Sequence, residues 1–459
     1  MKLRLKALWI SICGFALLLL AMGCNDTLRQ FIVPVPQPNG DPGALAHAIT
    51  LSTNPSGDGT DMHIDVTGDS GVGVVPLGLN PVFLGTANSR AFVINSGDTS
   101  VTPPVPPTVS IYTALLPQSP VVTTATLPSS AIAPVAGNTS SAGNIFIANS
   151  GSNDISVISG TVSAVTVPSV PVGTEPVMIA GNSANNKIFV VNHNHGGAGS
   201  VTEISSIDNT VINPSIAVGT APIWAVMSTD GQFVFVVNQG DGTVSVIDAS
   251  TDVVLPCAAA DPNCVSGKIK VGASPNFAFY ESKLKRVYVS NSGEGTISVI
   301  KADSISAASP PTLLKTVAVS GTPTSVTALS DGSRAYAALG NCPAGVNHLT
   351  IPTQFGSCTG NLVSVIDAVA LREIRTISVG TGPISIAASS DASRVFVVNS
   401  HDSVTDASGT HTAGTVSDIR TSTDTEVARP RVPQQDPNCR ITSSVFCPTQ
   451  TPLVVRTFP

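Results

Sequence analysis

A repeat that returns every 43 to 60 residues constrains this chain more than any other feature. Its clearest copy runs from Pro222 to Asp248 and contains three strand-like stretches separated by Asp-Gly or Gly-rich turns. A unit of this kind cannot bury its faces alone, so successive copies must stack on one another. The period is that of a propeller blade and is too long for most solenoid repeats.

Three motifs recur in the copies. An aromatic residue is followed three positions later by Asn at Phe92/Asn95, Phe146/Asn149, Phe189/Asn192, Phe235/Asn238, Tyr288/Asn291 and Phe396/Asn399, whereas a seventh copy has Tyr336 and Leu339. A Val-Ser-Val-Ile-like strand follows, and a Gly-x-x-Pro-like junction opens the next copy. We interpret the Asn as structural, because at a strand end its side chain can bond nearby backbone and tolerate a turn.

The composition agrees with a chain built from strands and turns. Charged residues make up 11% of it, against about 25% in an average soluble protein, and it holds 39 Gly and 35 Pro. This excludes a coiled coil or helical bundle, while 42% hydrophobic residues exclude simple disorder. What remains is an all-β fold with many short strands. The formal charge of −7 comes with no basic patch for nucleic acid.

These motifs resemble the YVTN-type β-propeller repeat of bacterial and archaeal surface and periplasmic proteins, over roughly residues 60–432. The resemblance implies a seven-bladed β-propeller with four-stranded antiparallel blades, but no single activity. We expect an N-terminal strand to close the ring, because His63–Val66 and Gly73–Pro76 resemble the outer half of a blade. The alternative is eight blades, with residues 433–459 in a degenerate eighth.

The first 23 residues are predicted to be a lipoprotein signal peptide. Lys2, Arg4 and Lys6 precede an apolar run, Ala7–Leu20, of about 14 residues, and a membrane span needs about 20. The sequence Leu20–Cys24 resembles the bacterial lipobox, which implies lipidation of Cys24; an ordinary signal peptide is the alternative.

The predicted organisation has four parts. Residues 1–23 are the signal peptide, 24–60 the lipidated Cys with a Pro-rich tether, 61–432 the propeller and 433–459 a Cys-containing tail. The expected location is extracytoplasmic, on a membrane-anchored lipoprotein of the periplasmic side, the outer membrane or the cell surface.

Six cysteines remain after Cys13 and Cys24 are set aside. They form three local pairs, Cys257/Cys264, Cys342/Cys358 and Cys439/Cys447, although six cysteines allow 15 connectivities. We expect disulfides and an oxidising compartment. A zinc site is the competing interpretation, but the chain has no CxxC pair, and only the isolated His348 lies near a pair.

Catalysis is disfavoured at the predicted propeller axis. The seven predicted innermost strands, which open at Pro81, Pro134, Pro176, Pro222, Pro275, Pro323 and Pro383, contain no charged residue, His or Cys. Acid–base chemistry needs titratable groups held together. We predict no cofactor and no metal, and interpret His193 and His195 as solvated loop residues. The alternative function is a lactonase-like propeller hydrolase whose site lies in top-face loops.

The favoured function is a binding or scaffold module of the cell envelope. Three connections between strands b and c are long, at residues 96–108, 340–361 and 400–414, and loops of such length are usually functional or disordered. In a ring of seven, blades 6, 7 and 1 are neighbours, so these loops would form one raised rim. We predict that a protein or glycan partner docks there, at Pro104, Pro107, His348, His401, Asp402, Asp406 and His411.

Overall fold

A computed structural model describes residues 47–54, 57–65, 70–87, 90–113, 122–140, 143–306, 308–349, 355–406, 408–436 and 448–458. These residues form antiparallel strands linked by turns, with two short 3-10 helices at Asn194–Gly196 and Phe355–Ser357. Alternating apolar, β-branched sequence favours strands, and the Gly, Asn and Asp residues between them adopt the turns. No helix in the described part of the chain is long and apolar enough to cross a membrane.

The strands assemble into eight sheets arranged as propeller blades. In chain order they are β1 His47–Thr53, β2 Asp58–Asp65, β3 Ser70–Leu79, β4 Pro81–Ala87, β5 Arg90–Asn95, β6 Thr108–Thr113, β7 Thr123–Thr126, β8 Pro134–Thr139, β9 Ile145–Asn149, β10 Asp154–Ser159, β11 Ala164–Pro171, β12 Pro176–Gly181, β13 Lys187–Asn192, β14 Ala198–Ser205, β15 Val211–Thr220, β16 Pro222–Met227 and β17 Phe233–Asn238. There follow β18 Thr243–Asp248, β19 Val253–Leu255, β20 Cys264–Val265, β21 Lys268–Lys270, β22 Pro275–Glu281, β23 Arg286–Asn291, β24 Thr296–Lys301, β25 Thr312–Ala318, β26 Ser325–Ala328, β27 Arg334–Leu339, β28 Leu362–Asp367, β29 Arg372–Ser378, β30 Pro383–Ala388, β31 Arg394–Asp406, β32 Gly409–Arg420, β33 Thr425–Ala428 and β34 Thr451–Phe458.

Blades 1 to 7 follow the chain from β4 to β33, each with strand a innermost and strand d outermost. Blade 4 has six strands, because β19, β20 and β21 stand where the other blades have a single strand d. Strands β4, β8, β12, β16, β22, β26, β30 and β34 contact one another in turn, and β34 returns to β4, so the ring is closed.

The prediction of seven blades is wrong, and the alternative of eight is the one that the structure has. Strand β34 is the innermost strand of blade 8, paired with β1 from Thr53↔Thr451 to His47↔Phe458, and β2 and β3 complete the sheet. The N-terminal segment therefore supplies three strands instead of one. Residues 47–53 and 58–60, expected in the tether, and residues 451–458, expected in the tail, lie in this blade.

The core is a set of apolar layers between neighbouring blades. Its largest fully buried side chains include the recurring aromatics of strand b, at Phe146, Phe189, Phe235, Tyr288, Tyr336 and Phe396. Outer strands such as β11 and β29 alternate exposed and partly buried residues, because only one of their faces packs on another blade. Burial of these aromatics is the main force that stacks the blades.

A turn with left-handed backbone starts most innermost strands. The residue before the strand-a proline has a positive φ at Asn80, Ala133, Glu175, Ala221, Ser274 and Gly382. Its carbonyl accepts a hydrogen bond from the residue after the strand-b Asn, as in Gln239 N to Ala221 O at 3.0 Å. A shift in register after the proline follows in each of these blades, for example between Pro222 and Trp224. This turn fixes how each strand a enters the channel.

Candidate functional site

The axial channel contains a cation that the seven predicted strands lack. Its eighth innermost strand, β34, brings Arg456 into the channel wall. The prediction of an axis free of charged residues is therefore wrong, because the strand that carries the charge comes from the segment assigned to the tail.

A loop from blade 6 crosses the top of this channel. We call residues 342–349 the axial plug. Asn347 Nδ2 donates to Gln239 Oε1 of blade 4 at 3.0 Å, and His348 Nε2 lies 3.3 Å from the carbonyl oxygen of Val177 in blade 3. A disulfide between Cys342 and Cys358 joins two parts of the loop, with their Cα atoms 4.1 Å apart. The plug thus links blade 6 to the opposite side of the ring.

A cavity of about 60 Å³ lies beside the plug, inside the ring of innermost strands. Since one buried water needs about 10–15 Å³ of such space, the cavity has room for roughly five waters. Its walls are mostly apolar. They include Phe83, Trp224, Phe277, His348, Leu453 and Arg456.

His348 is held as a neutral ring in this cavity. A carbonyl can only accept, so the contact with Val177 requires the proton on Nε2. The imidazole packs edge-on to Trp224, with ring centroids 4.9 Å apart. The pKa of His348 is lowered to about 4: burial is the main cause, the Val177 hydrogen bond raises the pKa, and the charges of Arg456 and His193 lower it. Protein atoms surround the ring, and the part of its surface that stays accessible faces the cavity.

Arg456 is a partly exposed cation in the channel wall, with few partners among the residues that the structure describes. Its Nη1 donates to the carbonyl of Val455 at 3.0 Å, and no carboxylate of the described residues forms an ion pair with it. Burial alone lowers the pKa of Arg456 to about 10. The guanidinium is therefore still charged at neutral pH.

The residues of the predicted rim do not lie together. Pro104 is exposed and Pro107 is buried in the blade-1 connection, where Asp98 and Val105 form an isolated bridge. His348 is in the axial cavity. Blade 8 separates blades 7 and 1, so the blade-1 connection is not next to the blade-7 connection as predicted. The blade-6 connection does contact strand β31 of blade 7, through Phe355–Ser357.

The predicted loop 400–414 is largely strand. Strands β31 and β32 continue past the blade as a two-stranded ribbon, paired from Asp402↔Ala413 to Asp406↔Gly409. We call residues 402–413 the blade-7 ribbon. His401 Nδ1 lies 2.8 Å from Ser400 Oγ, and His411 Nε2 lies 3.0 Å from Ser408 Oγ, so both rings have local partners.

Both acids of the ribbon are held by arginines from the connection to blade 8. Arg429 Nη1 donates to Asp402 Oδ2 at 3.1 Å, and Arg431 Nη1 donates to Asp406 Oδ2 at 3.0 Å. Hydrogen bonds from Ser408, helped by Arg431, lower the pKa of Asp406 to about 2. Asp402 is buried and Asp406 mostly so, and the two ion pairs fix the ribbon against the chain that follows blade 7.

His193 and His195 meet at Glu175. The Nδ1 atoms of the two histidines lie 2.8 and 3.2 Å from Glu175 Oε2, which also accepts the backbone N–H of His195. Burial raises the pKa of Glu175, but these hydrogen bonds outweigh it and leave the pKa below its ordinary value. Within the described ranges, no group of three or more His, Cys, Asp or Glu side chains could hold a metal ion.

Two of the three predicted disulfides are present, Cys257–Cys264 and Cys342–Cys358. The third pair, Cys439 and Cys447, and the lipidation site Cys24 lie outside the described residues.

No family model and no curated protein matches this chain. Several solved structures match it. The protein AztD of Citrobacter koseri has a TM-score of 0.57 at 11% identity, over 90% of this chain and 98% of that one. The dihydro-heme d1 dehydrogenase NirN in complex with DHE has a TM-score of 0.56 at 12% identity, over 85% of this chain and 73% of that one. A provisionally named 6-phosphogluconolactonase of Bacteroides fragilis has a TM-score of 0.51 at 13% identity, over 92% of this chain and 100% of that one. At such identities the likeness is one of fold, and the fold is an all-β propeller.

Proposed function

We propose that this protein is a YVTN-type propeller, anchored through a lipid on Cys24 outside the cytoplasm, that captures a protein or glycan partner with its top face. The observation that carries the proposal is the blade-7 ribbon. It extends beyond the sheet that the blade needs, and two arginine–aspartate ion pairs hold it in place.

A ribbon fixed in this way is suited to binding. Fewer side chains and less backbone must be ordered when a partner docks on a segment that is already held, so more of the contact energy remains as affinity. Strands β31 and β32 pair from Asp402↔Ala413 to Asp406↔Gly409, beyond the point where the b–c pairing ends in blades 3, 4 and 5. The two disulfides support an oxidising, extracytoplasmic setting.

The second candidate is a propeller hydrolase. In its favour, the axial cavity brings a histidine and an arginine into one space. Against it, His348 uses Nε2 on a backbone carbonyl, and a group with a pKa of about 4 is a weak general base at neutral pH. We therefore favour binding over catalysis.

The test of partner capture shortens the ribbon. Residues 402–413 are replaced by a four-residue Gly/Asp turn, and the intact and shortened proteins are used to capture partners from a cell-envelope extract. We expect the shortened protein to lose a partner that the intact one retains. A variant with the blade-1 connection 96–107 shortened instead is the matched control. If the shortened ribbon folds, as judged by its thermal melt, and captures the same set, the ribbon is not the docking surface.

The anchor has its own test. Replacing Cys24 with Ser should move the protein from the detergent phase to the aqueous phase, because stable anchoring needs acyl chains. Cys13→Ser, which changes a leader cysteine away from the lipobox, should partition as the original protein does. Equal partitioning of Cys24→Ser and the original would contradict lipidation at this site.

A further inference from the structure

Arg456 places a partly exposed cation in the wall of the axial channel, where it lines the cavity described above. The guanidinium donates one hydrogen bond, to the carbonyl of Val455. No carboxylate of the described residues forms an ion pair with it. A cation that is partly withdrawn from water attracts an anion more strongly than a fully solvated cation does. The cavity that Arg456 lines offers the space for such an anion.

The rest of the cavity restricts which anion fits. Trp224 and Phe277 stack with ring centroids 4.5 Å apart, and Phe83 and Leu453 complete an apolar wall. Two other polar groups are engaged within the protein: Trp224 Nε1 donates to Ala278 O at 3.0 Å, and Asn276 Oδ1 accepts from Ser290 Oγ at 2.7 Å. His348 Nδ1 has no partner among the described residues, and because the proton is on Nε2 it can only accept a hydrogen bond. The site thus offers one positive charge and an apolar surface.

We propose that the axial cavity binds a small organic monocarboxylate, with its carboxylate on Arg456 and its carbon chain against Trp224 and Phe277. A guanidinium matches a carboxylate through paired N–H donors. A single cation would leave a dicarboxylate or phosphate dianion with excess negative charge in an apolar space. The volume limits the ligand to about five or six non-hydrogen atoms, by comparison with the waters it could hold. This site is independent of the partner surface on the blade-7 ribbon.

Propionate is a suitable probe, because it has one carboxylate and a short carbon chain. The full-length folded protein is melted in a buffer free of other carboxylates, with propionate raised to about 50 mM at constant ionic strength. We expect a saturable rise in Tm. Chloride, phosphate and succinate at matched ionic strength should give less. If propionate gives no saturable rise, or if phosphate or chloride gives the same rise, the proposal is overturned.

Substitutions locate the effect. Arg456→Met should weaken propionate binding about tenfold or more, because the charge-assisted contact is lost. Without anion the same variant should melt at or above the original temperature, since an unpaired charge has gone. Arg372→Met, at an exposed arginine on an outer strand, is the matched control and should keep the propionate response. An unchanged response in Arg456→Met would refute the assignment.

A second variant and a second readout cover the case in which Arg456→Met does not fold. Val82→Phe keeps Arg456 but fills the cavity, and it should also lose the propionate response. By NMR, propionate should raise the pKa of His348, because an anion on Arg456 offsets the positive charge that now lowers it. A His348 titration that propionate leaves unmoved, in protein that shows a Tm rise, would place the binding elsewhere.

Discussion

Asn238 shows what a single recurring residue does in each blade. Its Nδ2 donates to Thr243 Oγ1 and to Ser245 Oγ, each at 3.0 Å, and its Oδ1 accepts the Gly219 N–H at 3.0 Å. Asn95, Asn149, Asn192, Asn291 and Asn399 repeat the two bonds to strand c. A Cβ on Gly219 would lie 2.5 Å from Asn238 Cγ, so the junction glycine is required for this close approach.

We predict that Asn238→Leu destabilises the protein by about 2–4 kcal/mol. It loses up to three buried hydrogen bonds at roughly 1 kcal/mol each and leaves two hydroxyls without their donor. Urea unfolding measures the effect. Leu339→Met, at the equivalent position of blade 6, replaces one apolar residue by another of similar volume and should cost about 1.5 kcal/mol or less. A midpoint for Asn238→Leu equal to that of Leu339→Met would contradict a structural role for the amide.

At this scale the sequence predicts the position of the Asn but not its partners. Its place at the end of strand b is confirmed, whereas the expected bonds to nearby backbone are mainly bonds to hydroxyls of strand c. Those hydroxyls stand opposite because the b–c register pairs Asn238 with Thr243. Register depends on the lengths of both strands and of their turn, which the repeat alone does not determine.

Among the elements, the first residue of strand b ties one blade to the next. In blade 3, Lys187 Nζ donates to Ala249 O at 2.9 Å and to Asp252 Oδ1 at 2.7 Å, both in the c–d turn of blade 4. In blades 1, 5 and 6 the equivalent residues also donate hydrogen bonds to backbone carbonyls in the c–d turn of the next blade. They are Arg90, Arg286 and Arg334, and the turns belong to blades 2, 6 and 7. Each cation binds a carbonyl in a turn of the neighbouring blade, and so links two blades at the bottom face.

We predict that Lys187→Met destabilises the protein by about 2–4 kcal/mol. The variant leaves Glu203, whose Oε1 is 2.6 Å from Nζ and fully buried, without its cation. Lys315→Met, at an exposed lysine of strand β25, is the control and should lie within about 0.5 kcal/mol of the original protein. Equal stability of the two variants in a urea titration would show that the link between blades contributes nothing.

Across the whole molecule, two buried groups give stability opposite dependences on pH. Burial raises the pKa of Glu203 to about 7, with Asp252 raising it and Lys187 lowering it. The folded state thus holds the Glu203 proton more tightly, and this contribution to stability falls between about pH 4.5 and 7. The pKa of His348 is lowered to about 4, so its contribution rises between about pH 4 and 6.5.

We predict that single variants separate these effects. The free energy of unfolding of Glu203→Gln, minus that of the original protein, should rise with pH from about 4.5 to 7. The same difference for His348→Gln should fall from about pH 4 to 6.5. Urea titrations across this range measure both. Parallel profiles for the two variants and the original protein would contradict the assigned protonation states.

For the whole molecule, the sequence predicts the propeller architecture but not the number of blades. Seven copies carry the motifs, and their four-stranded, all-β architecture is confirmed. Blade 8 lacks the aromatic-x-x-Asn motif, no Gly-x-x-Pro junction opens its innermost strand β34, and its strands β1 and β34 come from opposite ends of the chain. Arg456 and the axial cavity were missed for the same reason. The length of the connection 340–361 was visible, but its inward course depends on contacts with blades 3, 4 and 5.

The position of β34 gives the ring a definite order of completion. The ribosome makes this strand after every other strand of the propeller, so the ring cannot close before β34 emerges. The same strand carries Arg456, and the channel therefore gains its positive charge at the moment of closure. Any anion held there recognises the finished ring and not its precursor, and by mass action it favours the closed form. A chain cut before β34 would lose both the strand that closes the ring and the charge of Arg456.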